Sequence, residues 1–401
     1  MKIESIRIKN FKTLQDVELT DLPPFCVFVG RNGTGKTTLF RVFAFLKTSL
    51  QNNVRVALNR EGGRIGFKEV VSRGHEKENI EIEIQFRLEL LGRSRLATYH
   101  LEIGLDGANP VIRREVLRYK RGRHGKPFHY LDFADGKGFV VTNEEDFDEE
   151  ERPLKREERR LDSPDILAIK GLGIFGDQFK AASAFRQLLE NWQISDFHID
   201  DARGKKEDED AVHLSSSGGN LPAVARHLLE NHPGIWKRIE TKMRERVPGV
   251  ENIEVRTTDD GGLLMRYGDG AFGEPFIDRN VSDGTIKMFA YLVLLEDPKP
   301  FPILCVEEPE NQLYPELMSV LAEEFLSYSE RGGQVFVSTH SPEFLDAVPI
   351  ENIFWMEKSG GRTSVLRAGM FPLLTDLVAR GDPPGTLWNQ GLFDTGNLPT
   401  P

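Results

Sequence analysis

Residues 25–38 read Phe-Cys-Val-Phe-Val-Gly-Arg-Asn-Gly-Thr-Gly-Lys-Thr-Thr. Phe25, Cys26, Val27, Phe28 and Val29 form an apolar run without polar alternation, the pattern of a strand covered on both faces. Gly30, Gly33 and Gly35 then let the backbone curl so that successive N–H groups point at phosphate oxygens. From Lys36 onward Leu39, Phe40, Val42, Phe43, Phe45 and Leu46 recur at helical spacing. The N-terminus of that helix adds a favourable partial positive charge. Strand, glycine-rich turn and helix satisfy Gly-x-x-x-x-Gly-Lys-[Ser/Thr] in the context that the pattern requires. Lys36 can reach β- and γ-phosphates, and the Thr37 hydroxyl can ligate Mg2+.

Three further segments carry chemistry. Ile303, Leu304, Cys305 and Val306 form a second buried strand that ends in Glu307, Glu308, Pro309 and Glu310. Such a strand delivers its carboxylates to the edge of a parallel sheet, where ligands bind in α/β folds. One carboxylate can serve Mg2+ through water and the next can orient the attacking water. A third apolar strand, 334–338, leads into Thr339, His340, Ser341 and Pro342, which puts His340 beside the same sheet edge. Finally, Val281, Ser282, Asp283, Gly284 and Thr285 precede the apolar helix Ile-Lys-Met-Phe-Ala-Tyr-Leu-Val-Leu-Leu. Ser, Asp and Gly are ordinary capping residues, yet Ser282 and Gly284 also suit a helix N-terminus offered to an anion.

Around these segments the chain reads as alternating regions. Strands are expected over 2–9 and 17–19. The residues from about 79 to 142 read as an antiparallel meander with turns at Asp106-Gly107, at 122–125 and at Asp135-Gly136. A mostly helical stretch follows over 163–192, and helices open at Asn220 with Pro222 and at Pro233. The segment 201–219 is polar and glycine-rich and reads as a mobile loop. Another helix starts at Pro315 and ends before Gly332. No internal repeat and no sustained heptad pattern is present.

The 401 residues allow two or three domains. With 39% hydrophobic and 29% charged residues, the composition is that of a globular protein. No apolar run approaches the roughly 18 residues of a membrane-spanning helix, and the start lacks a secretory core. Cys26 and Cys305 sit in apolar strands and form neither a disulfide framework nor a metal cluster. A cytoplasmic location without membrane contact is therefore expected. The net charge of −11 disfavours a surface coated with phosphate-binding lysines. The basic runs 118–126 and 152–160 and the acidic run 144–151 read as solvated loops or strand ends.

Taken in order, the four motifs resemble the ABC-type ATPase heads of the RecF, SMC and OLD group. The opening Ile-Arg-Ile-Lys-Asn-Phe-Lys-Thr-Leu is similar to that group's N-terminal strand pair. The likeness covers about 1–47 and 275–346, with Val-Ser-Asp-Gly-Thr in the place of an LSGGQ-like signature. It implies an α/β fold of P-loop NTPase type, with a mixed central sheet, an antiparallel meander and a helical subdomain. The expected divisions are 1–162, 163–248, 249–358, and a tail at 359–401.

The resemblance also implies roles. Gly30, Arg31, Asn32, Gly33, Thr34, Gly35, Lys36, Thr37 and Thr38 would cradle ATP. Thr37 and Glu307 would serve Mg2+, Glu308 would position the water, and His340 would sense the γ-phosphate. Ser282, Asp283 and Gly284 would act on the nucleotide of a partner copy. Glu307 replaces a commoner aspartate, Thr285 a glutamine, and Tyr314 a histidine. Gln178 and Gln187 are candidates for the family's loop glutamine, and Lys12 for a residue approaching the nucleotide.

About 270 residues separate the phosphate loop from the glutamate pair without heptads, which speaks against SMC-like coiled coils. The short tail speaks against a TOPRIM nuclease domain. The expectation is an ATP-hydrolysing switch that dimerises around nucleotide and controls a DNA-related process. Anti-phage defence with a separate, nuclease-like effector heads the readings. A RecF-like repair ATPase is the alternative, and a transporter's nucleotide-binding subunit is the alternative of another class. Gly385 to Leu392, with Trp388, is either an aromatic anchor for a partner or packed on its own domain.

Overall fold

A computed structural model describes residues 2–90, 92–120, 127–143 and 153–394. Most of the basic run 118–126 and the whole of the acidic run 144–151 lie outside the described residues. The chain forms two compact units, Met1–Trp192 with Phe354–Arg367, and Gln193–Ile353 with Ala368–Pro401.

The first unit is built on an eight-stranded sheet. Its spatial order is Leu14–Leu19, Lys2–Phe11, Ile80–Leu90, Arg93–Asp106, Asn109–Tyr119, Phe128–Ala134, Lys137–Val141 and Arg156–Arg160. All the pairings are antiparallel. The period-2 pattern explains the register. Ile82, Ile84, Phe86 and Leu88 are buried, whereas Glu81, Glu83 and Gln85 are half-buried. Ile82 pairs with Leu101 and Ile84 with Tyr99, so one face is apolar throughout. The helix Lys180–Glu190 covers it, with the Phe185 ring 4.5 Å from Phe86 and 4.4 Å from Tyr99. Burying each such side chain stabilises by about 1.5–3 kcal/mol.

The same unit holds the strand Phe25–Gly30, fully buried, beside Ile353–Ser359 and then Arg362–Arg367. Phe28 stacks on Phe354 at 5.3 Å and meets Phe40 of the helix Lys36–Gln51 edge-on at 6.3 Å.

In the second unit, Ile303–Glu307 and Gln334–Thr339 pair in parallel, with Trp192–Ser195 on the outer side of the former. The connecting helix Glu316–Glu330 buries Met318, Leu321, Ala322 and Phe325. The helix Asp283–Leu295 is buried from Gly284 onward. A small antiparallel sheet, Val250–Thr257, Leu263–Asp269 and Phe276–Ile277, lies beyond it. Tyr267 of that sheet and Trp236 of the helix Pro233–Arg246 both meet Phe289 edge-on at 6.0 Å.

Two expectations are corrected and a third is refined. The stretch 163–192 holds helices at Ala168–Leu172 and Lys180–Glu190, but a strand, Trp192–Ser195, begins at its end. Trp192 is buried against Phe43 at 5.2 Å. Residues 156–160 of the second basic run, read as solvated loop or strand end, form a largely exposed edge strand. The segment 201–219, read as a mobile loop, is tied down. Lys206 exchanges backbone hydrogen bonds with Leu263, His213 pairs with Asp297 at 2.7 Å, and Gln193 donates to the Leu214 carbonyl.

The tail packs on its own unit. The Gly385 N–H donates to Asp346 at 2.7 Å, and a Cβ at Gly385 would lie 2.0 Å from the Pro342 carbonyl oxygen. Trp388 is half-buried and meets Phe393 edge-on. Among the described residues no helix is long and apolar enough to cross a membrane.

Candidate functional site

In the first unit the loop after Phe25–Gly30 is shaped by its glycines. A Cβ at Gly30 would lie 2.6 Å from the Met356 carbonyl oxygen. Gly35 has a φ of +108°, and a Cβ there would meet the hydroxyls of Thr13 and Thr363 at 2.8 Å. The Thr363 hydroxyl donates to the Thr34 carbonyl at 2.7 Å, and the Thr34 hydroxyl to the Arg31 carbonyl at 2.9 Å. Lys36, 6% exposed, donates to the Gly30 carbonyl at 2.7 Å. Arg31, Asn32, Gly33 and Thr37 are exposed. The result is a tight loop with an ammonium held inside it and an exposed threonine, Thr37, at the helix start. That donor set fits a polyphosphate with its magnesium ion. Lys12 is held elsewhere in this unit, 2.7 Å from Glu61.

In the second unit the carboxylates sit where the sequence put them, at the end of Ile303–Glu307. Glu307 pairs in register with Ser338. The Glu308 N–H donates to the Ser338 carbonyl at 2.9 Å, and Glu308 itself has a φ of +43°. A non-glycine residue there is strained by about 1–3 kcal/mol. Glu308 Oε1 lies 3.1 Å from His340 Nε2, and Asn311 donates to Glu308 Oε2 at 3.1 Å. The His340 N–H donates to Glu310, whose other carboxylate oxygen is buried without a hydrogen-bond partner.

Ser282 caps its helix by accepting from the Thr285 N–H at 3.2 Å. Gly284 leaves space for the next loop, since a Cβ there would lie 3.0 Å from the Gln312 carbonyl oxygen. Lys287, one turn further, donates to the Asn311 carbonyl at 2.6 Å. Burial lowers the Lys287 ammonium to about 8, against the opposing pull of Glu310, Asp196 and Glu308. Within this unit, therefore, Ser282, Asp283, Gly284, Glu307, Glu308 and His340 lie on one linked set of loops.

Three residues linked to this set escaped the sequence reading: Lys287, Asn311, and Arg203, which donates to the Asp283 carboxylate. Lys287 had a usable signal, as the lone cation in an otherwise apolar helix. Asn311 comes next after Glu310, at the end of the acidic segment that the sequence singled out. Arg203 had none. Gln187 meets Ser183 at 3.5 Å within its own helix.

Over 91% of this chain and 97% of that one, the fold matches an Smc head bound to the C-winged helix domain of ScpA, with a TM-score of 0.53 at 13% identity. The fold is therefore that of a P-loop ATPase of ABC type. The DNA replication and repair protein RecF of Renibacterium salmoninarum is 28% identical over 120 residues, 29% of this chain and 27% of that protein. RecF of a Geobacter species is 29% identical over 140 residues, 33% of this chain and 38% of its own length. The chain thus spans well under half the length of these relatives. The family described as "AAA domain, putative AbiEii toxin, Type IV TA system" matches residues 25–346, and the chain belongs to this family of RecF/SMC-like ABC-type ATPases.

Proposed function

We propose that the chain binds and hydrolyses ATP at a composite site completed when two copies meet. The Glu308–His340 contact, 3.1 Å at the ends of two paired parallel strands, is the observation that carries this reading. A carboxylate that touches an imidazole in this way can orient a water and take its proton, a role worth about 10²–10⁴-fold in rate. Lys36 would steady charge on the β- and γ-phosphates, while the backbone N–H groups of residues 30–38 hold their oxygens. Thr37 and Glu307 would hold magnesium, which when bound offsets charge on the phosphate oxygens. His340 would report the γ-phosphate. Ser282, Asp283 and Gly284 would face the nucleotide of the partner copy, so that ATP closes the dimer and hydrolysis releases it.

The switch is proposed to act in a DNA-related process. Its family's description names a toxin and a toxin–antitoxin system, which supports defence through a separate effector protein. The matches to RecF proteins of DNA replication and repair support a repair ATPase as the second reading.

Phosphate release is the primary test. Glu308→Gln should retain ATP binding, lose at least about a hundredfold in turnover and accumulate as a dimer with ATP in size-exclusion chromatography. Lys36→Ala should lose nucleotide binding. Parental turnover in Glu308→Gln would end the assignment. DNA-stimulated, salt-sensitive hydrolysis without any effector would favour repair.

A further inference from the structure

Arg203 follows the short helix Ile199–Ala202, far in sequence from the capped turn at 282–284. Its guanidinium nevertheless organises that turn. One nitrogen, Nη1, donates to the Asp278 carbonyl, while Nη2 donates to the Val281 carbonyl at 2.9 Å and to the Asp283 carboxylate. The neighbouring Gly204 N–H donates to Asp278 Oδ2 at 2.6 Å. Asp278 is only 1% exposed, and its Oδ1 has no hydrogen-bond partner among the described residues. The Arg203 side chain is 20% exposed and that of Asp283 48%. A half-buried fork therefore reaches outward to a carboxylate at the surface of the turn.

The charges make this arrangement more than a brace. If the turn meets a partner's triphosphate, Asp283 is a negative charge set beside an anion, and closure of the interface removes the water that screens their repulsion. A permanently charged guanidinium paired with it cancels the repulsion. Arg203 does so while its two carbonyl contacts hold Val281 and Asp278, the residues leading into the helix. Lysine could supply the charge but not the planar fork that serves a carboxylate and two carbonyls together.

We propose that Arg203 is a positioning residue that neutralises Asp283 and so lets this turn accept the partner's nucleotide. The proposal rests on the reading of 282–284 as the face that acts in trans. It predicts a specific pattern. Arg203→Met should lower kcat/KM for ATP at least about tenfold, chiefly through KM, because the charge acts on binding. Adding Asp283→Ala should recover most of that loss, since the uncompensated charge is then gone. A purely structural brace would leave the double variant as impaired as Arg203→Met, and that result would overturn the proposal.

Mixed dimers separate this idea from the composite-site reading. Lys36→Ala chains mixed with Arg203→Met chains pair one intact phosphate loop with one intact turn, so phosphate release should reappear. The same mixture made with Ser282→Arg in place of Arg203→Met is the control. Recovery with Ser282→Arg but not with Arg203→Met overturns the role of Arg203. No recovery in either mixture overturns the composite site and the proposal with it. Recovery in both also establishes that the Arg203→Met chain is folded.

Discussion

Glu308 Oε1 lies 3.1 Å from His340 Nε2, and the strands leading to the two residues are hydrogen-bonded neighbours running the same way. Sheet pairing thus sets the contact, and Asn311 anchors the far carboxylate oxygen. Groups that act as one unit are non-additive on removal. His340→Ala should lower kcat by roughly tenfold or more. In Glu308→Gln the same histidine change should cost far less, because the shared step is already lost. Full additivity in phosphate-release kinetics would mean that the pair does not act together.

The left-handed backbone at Glu308, φ +43°, stores strain at a position that turnover is proposed to need. Replacing the side chain alone leaves the strain in place, whereas glycine relieves it. Glu308→Gly should therefore be more stable than Glu308→Ala by about 1 kcal/mol, with both inactive. Equal denaturation midpoints would remove the strain argument.

Glycines of the phosphate loop should differ in tolerance. Gly30→Ala drives a methyl to 2.6 Å from the Met356 carbonyl oxygen, and Gly35→Ala meets two hydroxyls at a φ of +108°. Each should cost on the order of 2 kcal/mol or more. Gly33 has a φ of +79° but nothing within 4 Å of a Cβ, so Gly33→Ala should cost only about 1 kcal/mol. Thermal unfolding of the three variants checks the order.

Glu115 is buried in the first unit, where it accepts the Ala168 and Ile169 N–H groups and the Tyr99 hydroxyl. Desolvation pushes its carboxyl up from 4.5 to about 7, although those hydrogen bonds pull it down. A folded-state value above the unfolded one means that the native chain holds the proton more tightly. The associated stability is complete below about 4.5 and is lost as the pH rises through about 7. Glu115→Gln should abolish that slope in urea denaturation between acid and neutral pH. An unchanged slope would place the titration elsewhere.

The local motifs were legible because their chemistry lies within a few residues. An apolar run followed by Gly30, Gly33, Gly35 and Lys36 encodes strand, loop and helix without reference to the rest of the chain. The strand at 303–306 and its glutamates are equally self-contained, and period-2 alternation exposes the meander. The segment 201–219 misled for a related reason. Polar, glycine-rich composition reports few apolar anchors, yet Lys206, His213 and Leu214 are held by hydrogen bonds instead.

What sequence alone determined about this protein is its family of ATPase folds and the short runs that carry phosphate and carboxylate chemistry. Tertiary structure decided which distant groups support them. The Thr363 hydroxyl closes the phosphate loop from 329 residues away, and Arg203 reaches Asp283 across 80. The tail folds back onto the helix that follows His340. No periodicity records such pairs, because side chains separated by hundreds of positions meet only when packed sheets and helices bring their backbones within hydrogen-bonding reach.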